Sequence, residues 1–160
     1  MQKFVELMRE WIGDIPEHMP WDLEERLKQN SDILLVDVRE PHEFGAMRIP
    51  ASISAPRGIL ESCCEWDFEE TIPELVEARD REVVVVCRSG HRSLLSAKSL
   101  EILGFSNVAS LKGGIKGWND FDMPLIDAHG NPVDPDEADE DLTAKLREEQ
   151  LDPARRKRGT

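Results

Sequence analysis

VVVVCRSGHRS, residues 83–93, runs four valines into a cysteine, then a short polar loop, then apolar residues at helical spacing. β-branched side chains with no polar face read as a strand buried on both sides, as strands of parallel sheets are. Glu82 to Val86 is therefore predicted as a strand, and Ser93 to Leu103 as the helix that leaves it. Cys87 then stands at a strand's carboxyl end, where α/β proteins form ligand sites and helix N-termini point.

The same alternation continues on either side. ILLVDV, Ile33 to Val38, suits a second strand covered on both faces; Ser52 to Ala55, between Pro50 and Pro56, suits a smaller one. NVASL, Asn107 to Leu111, reads as another strand, followed by Gly113-Gly114 and a short segment ending at Trp118. Helical spacing recurs in Phe4, Met8, Trp11, Ile12 and Ile15, with Gly13 and Pro16 limiting that helix. It recurs in WDLEERLKQ through Trp21, Leu23 and Leu27, and over Asp67 to Arg79 through Phe68, Ile72, Leu75 and Val76. Strands alternating with helices imply an α/β fold with a mainly parallel sheet. Trp11, Trp21 and Trp118 read as core or staple aromatics. From Asp127 onward large apolar residues almost vanish. A helix is predicted from Asp134-Pro135 to about Gln150, held by Leu142 and Leu146, in a solvated or loosely docked acidic tail ending in Arg155-Arg156-Lys157-Arg158.

At 160 residues the chain has room for one domain with a core and some extra length. Its formal net charge of −13 should repel nucleic acid and anionic membranes, so an anionic substrate needs a locally positive pocket. No apolar run approaches a membrane span, and the N-terminal MQKFVELMREWIGDI carries charges and no small-residue cleavage site. Cys63, Cys64 and Cys87 form no C-x-x-C and no zinc spacing, and adjacent cysteines seldom pair with each other. A reducing cytoplasm, no metal and no cofactor are the expectations.

In such a setting Cys87 reads as a working thiol. Residues Arg88 to Arg92 can curl so that successive N–H groups face inward and form an anion-binding nest, with Gly90 allowing the turn. Amides, helix dipole and arginines would together favour negative charge on the sulfur. One unit charge at about 4 Å is worth roughly 4 kcal/mol at an effective dielectric near 20. Arg92 is expected to bind the anionic substrate; Arg88 either joins it or points to solvent. Ser89 and Ser93 contribute backbone amides and the helix start. His91 lines the mouth, because an ionised thiol needs no base. Asp37 and Arg39 read as a partly buried structural pair, and Glu43 takes the same reading. Cys63 and Cys64 read as ordinary thiols, with an auxiliary role open: accepting sulfur or resolving an oxidised Cys87. The terminal basic cluster reads as solvated.

Four stretches in order, over about Pro20 to Asp122, resemble a single-domain rhodanese, a sulfurtransferase module. They are DVREPHEF from Asp37 to Phe44, MRIPASISAP from Met47, CRSGHRS from Cys87, and LKGGIKGW from Leu111 to Trp118. Arg48 stands where many relatives have a histidine, and Ala51 where a glycine is common. The resemblance implies a three-layer α/β/α domain over 20–122; an N-terminal helical arm over 1–19 and a charged, loosely docked or disordered tail over 123–160 fall outside it. It also implies ping-pong covalent catalysis, in which Cys87 takes the outer sulfur of thiosulfate or a related persulfide donor. A thiol, cyanide or sulfur-carrier protein would then accept that sulfur. The two loop arginines favour thiosulfate. Two other readings stay open: a cysteine-loop phosphatase or arsenate reductase, whose loop holds five residues between cysteine and arginine rather than four, and a non-enzymatic sulfur-carrier module that binds partners.

Overall fold

Val83 to Val86 are all fully buried, and their alternation assigns them to two different cores. Val83 and Val85 join one apolar cluster and Val84 and Val86 the other, as a period-2 strand between two helical layers requires. Each contributes about 1.5–3 kcal/mol of burial free energy. The computed structural model describes residues 1–156. Its strands are β1 (Glu17–His18), β2 (Leu34–Asp37), β3 (Ile53–Ser54), β4 (Glu82–Val86) and β5 (Asn107–Leu111). They form one sheet in the order β1-β5-β4-β2-β3, every neighbouring pair parallel. All carboxyl ends therefore share one edge, and Cys87 follows β4 at the centre of it.

Helices cover both faces. One cluster is closed by α1 (Phe4–Ile12) through Met8 and Ile12. Leu60 and Cys63 of α4 (Leu60–Cys63), together with Leu94, Ala97 and Leu100 of α6 (His91–Ile102), complete it. The other is closed by Leu23 of α2 (Pro20–Gln29), by Ile115 and Trp118 of α7 (Gly114–Asp120), and by Ala138 and Leu142 of α8 (Pro135–Leu142). Short α3 (Pro41–Ala46) and α5 (Pro73–Val76) lie in the connections after β2 and before β4. The result is the three-layer α/β/α arrangement with a parallel sheet that the sequence implies. Among the described residues no helix is long and apolar enough to cross a membrane.

Several expectations change. Strand β1 was invisible in the sequence, because two residues carry no periodicity; it is set by Ser110 donating to Pro16 O and Lys112 to His18 O, both at 2.9 Å. The helix predicted over Asp67–Arg79 shrinks to α5, since Asp67 adopts a positive φ of 70° and Phe68 stays 54% exposed. Trp11 and Trp21 are not core residues: they are 62% and 44% exposed, and Trp21 meets Phe121 edge-on. Trp118 is buried as expected, its Nε1 donating to Pro124 O at 2.9 Å.

The acidic segment departs most from its loosely docked reading. Leu125, Ala138 and Leu142 are buried against α7, and Asn119 Nδ2 donates to Pro135 O at 2.9 Å. Asp134 caps α8 by accepting from the amides of Asp136 and Glu137. The helix ends at Leu142 rather than near Gln150, and Leu146 is exposed. Of the terminal basic cluster, Arg155 and Arg156 are exposed, and Lys157 and Arg158 lie outside the described residues.

Candidate active site

Cys87 Sγ is buried, the residue being 1% exposed, and two backbone amides are aimed at it. Gly90 N lies 3.1 Å from the sulfur and Ser93 N 3.3 Å. Gly90 makes this geometry accessible: its φ is +100°, and it is the N-cap of α6. Turning back so sharply brings the first amides of the helix over the cysteine that ended β4. The N–H groups of His91 and Arg92, the first two of α6, bond no acceptor among the described residues and remain available to a bound anion.

The start of α7 holds the loop from behind. The carbonyls of Cys87 and Arg88 accept from Ile115 N at 2.8 Å and Lys116 N at 3.0 Å, in the first turn of α7. Tying those carbonyls outward leaves the following amides to turn inward. This approach is so close that a Cβ on Gly114 would sit 2.4 Å from the Arg88 carbonyl carbon and oxygen. The Gly-Gly of LKGGIKGW is thus the other half of the cysteine loop.

Hydroxyls complete the surroundings of the sulfur. Ser93 Oγ is 3.3 Å from Sγ, and Ser110 Oγ on β5 donates to Ser93 Oγ at 2.7 Å, both serines being fully buried. Ser110's bond leaves the Ser93 proton free to donate to sulfur once the sulfur carries negative charge. Sequence reasoning assigned Ser93 only its amide and missed Ser110 altogether. A small hydroxyl residue facing inward near the end of a buried strand was the one available signal.

The remaining predicted residues divide. Arg88 and Ser89 are exposed, and His91 is exposed with Phe4 edge-on to its ring at 6.0 Å. Arg92 departs from its expected part: Nη1 and Nη2 both go to Glu43, at 2.8 and 3.0 Å, so its guanidinium clamps α3 to α6. Burial pushes the Glu43 carboxyl up, but the Arg92 hydrogen bonds, the Glu40 backbone amide and the charges of Arg92 and Arg39 together outweigh it and bring the group down to about 2. Asp37 and Arg39 form a fully buried pair, Nη2 to Oδ2 at 2.8 Å, with Arg39 also donating to Met47 O. That pair fixes the β2 exit and the α3 end rather than touching sulfur. Cys63 and Cys64 are buried and free, and burial pushes the Cys64 thiol up to about 12. Protonated and covered, neither is placed as an auxiliary thiol.

Two cavities flank the loop. One of about 520 Å³ lies between α1 and residues 89–91; another of about 270 Å³ is lined by Arg88, His42 and Glu43 together with Asp141 and Leu142 of α8. The acidic segment therefore reaches the side of the loop.

Comparison with known proteins agrees with this fold. Residues 19–121 match the model of the Rhodanese-like domain. A sulfurtransferase of Allochromatium vinosum is 33% identical over 108 residues, 68% of this chain and 92% of its own length. A Rhodopseudomonas palustris protein of unknown function, described as a possible tyrosine phosphatase, superposes with a TM-score of 0.69 at 29% identity, covering 78% of this chain and 95% of that one. The polysulfide-sulfur transferase homodimer of Wolinella succinogenes gives a TM-score of 0.61 at 27% identity, covering 78% and 87%.

Proposed function

The chain belongs to the rhodanese-like domain family, with sulfurtransferases among its relatives, and on that premise we propose that it carries sulfane sulfur from an anionic donor of the thiosulfate kind through Cys87 to a thiol acceptor. The observation that carries this reading is the pair of amides, Gly90 N and Ser93 N, converging on Sγ. Such donors are oriented before the reaction begins, so stabilising charge on sulfur costs no reorganisation.

In the first half-reaction the Cys87 thiolate attacks the outer sulfur of thiosulfate. A new S–S bond forms to Sγ, the S–S bond of thiosulfate breaks, and sulfite leaves with the electron pair. Its negative charge passes the amides of His91 and Arg92, with exposed Arg88 supplying a cation at the mouth. In the second half-reaction an acceptor thiolate takes the outer sulfur and Cys87 leaves as thiolate. Arg92 acts on both steps as a positioning residue, through its clamp on Glu43. A sulfur-carrier protein fits the same chemistry as acceptor.

Intact mass after incubation with thiosulfate should show one added sulfur, absent in Cys87→Ser. No gain with thiosulfate, mercaptopyruvate or a protein persulfide would remove the reading. Hydrolysis of a phenyl phosphate that depends on Cys87 would favour phosphatase chemistry instead; the four-residue span from Cys87 to Arg92 and the engagement of Arg92 by Glu43 weigh against it.

A further inference from the structure

Helix α8 lies outside the matched segment 19–121, yet one residue holds both it and the cysteine loop. Lys116 N donates to the Arg88 carbonyl at 3.0 Å, while Lys116 Nζ reaches Asp139 Oδ1 of α8 at 2.8 Å. Ala138 and Leu142 are buried in the core that α7 shares, and Asn119 Nδ2 donates to Pro135 O. These contacts fix α8 along its length. They place Asp141, the residue before buried Leu142, beside the loop.

Arg88 and Asp141 line the same cavity of about 270 Å³, together with Arg39, His42 and Glu43. Two of these charges are already matched within the fold. Arg39 is bonded to Asp37 at 2.8 Å, and Glu43 to Arg92 at 2.8 Å. Arg88 and Asp141 are both exposed and stand at this cavity with no ion pair between them. The cation that draws an anion towards the loop therefore has a carboxylate set against it, and an anion approaching Cys87 feels both. Unit charges about 10 Å apart change a rate about twofold in water-like surroundings, and more where protein displaces water.

We propose that Asp141 is a specificity-determining residue, which offsets Arg88 and sets the charge of the sulfur donor that Cys87 accepts. The inference rests on the sulfur-transfer reading and adds the donor's charge class to it. Asp141 shifts preference from dianions such as thiosulfate towards singly charged sulfane-sulfur anions. Repulsion scales with the charge of the incoming molecule, so a dianion is slowed by the square of the factor that slows a monoanion. The bond exchange itself is unchanged. With a thiosulfonate, the Cys87 thiolate bonds to the outer sulfur, the donor's S–S bond breaks, and a sulfinate leaves with the electron pair. A helix beyond the family's common domain thereby tunes the domain's own loop.

The test compares iodoacetate, an anion, with iodoacetamide, its neutral relative, as alkylating agents of Cys87 in the full chain at one fixed pH, followed by peptide mass mapping. Asp141→Asn should raise the iodoacetate-to-iodoacetamide rate ratio about 2–5-fold at low ionic strength. The gain should all but vanish in about 1 M salt, where the screening length is about 3 Å. A variant that merely disturbed the loop would move both rates and leave their ratio. Asp136→Asn removes the same charge at the start of α8, where it does not line the cavity, and should keep the wild-type ratio. Loading from thiosulfate should rise about 4–25-fold in Asp141→Asn, and loading from benzenethiosulfonate, a monoanion, only about 2–5-fold. An unchanged ratio, a rise that survives the salt, an equal rise in Asp136→Asn, or equal gains for the two donors would each overturn the proposal. Alkylation transfers no sulfur, so this result and the mass measurement on Cys87 can fail separately.

Discussion

Gly114→Ala is the sharpest perturbation of the cysteine loop that leaves every loop residue in place. Gly114 has φ of +63°, and a Cβ there would lie 2.4 Å from Arg88 C and O and 2.5 Å from Cys87 O. All three atoms are backbone, so no side chain can swing aside. Placing alanine in the left-handed region costs about 1–2 kcal/mol. Relieving the clash separates α7 from the loop and breaks the bonds from Ile115 N and Lys116 N, at about 0.5–1.5 kcal/mol each. The total is about 2–5 kcal/mol, which lowers the melting temperature by roughly 5–20 °C in a chain of this size. Once the two carbonyls are free to turn, the Gly90 and Ser93 amides lose their aim. Single-turnover persulfide formation should then slow by about 10²–10³-fold, the range for losing preorganised donors. Gly113→Ala is the matched control: φ is +77°, but the nearest atom to its Cβ is Gly117 Cα at an ordinary 3.6 Å. It should show the backbone cost of about 1–2 kcal/mol alone. If the two variants melt together and load sulfur at the same rate, the coupling of the Gly-Gly turn to the cysteine loop is wrong.

Ala51 occupies a φ of 65°, so Ala51→Gly exchanges a left-handed penalty of about 1–2 kcal/mol for a chain-entropy cost of about 0.5–1. The urea midpoint should rise slightly, and a fall would count against the strain. The Glu43 carboxyl ordinarily titrates near 4.5 and is held at about 2 in the fold, so the folded state binds fewer protons. Its stabilisation is fully present above 4.5 and disappears as pH drops towards 2. Glu43→Gln should flatten urea stability across that window, and parallel profiles for variant and wild type would refute the assignment. Ser110→Ala removes the donor to Ser93 Oγ, and iodoacetamide should then alkylate Cys87 about 2–10-fold more slowly at fixed pH. An unchanged rate would reduce that hydroxyl pair to packing.

Local signals carried much of the fold into view. Four adjacent valines needed two cores, and the alternation of short strands with helices allowed only a few arrangements. The cysteine loop was equally plain, because strand end, glycine and helix start are neighbours in sequence. What escaped depends on partners far along the chain. Arg92 read as a substrate cation because Glu43, 49 residues away, does not appear in the loop. Nothing in Gly114 alone announces the Arg88 backbone against it. Helical spacing in α1 grouped Phe4 and Trp11 with Met8 and Ile12, but only the latter two find core partners. The acidic segment seemed too poor in apolar residues to dock. Leu125, Ala138 and Leu142 suffice because Trp118 and α7 already offer a covered face.

The bonds from α7 to the Cys87 and Arg88 carbonyls bear on protein engineering. Residues 87–93 lifted out by themselves and grafted onto another parallel sheet would be half of a clasp, with nothing to stop their carbonyls rotating into the nest. A recipient scaffold would need an adjacent strand ending in paired glycines, spaced to meet the transplant. Loop and turn are distant in the chain but form a single transferable part.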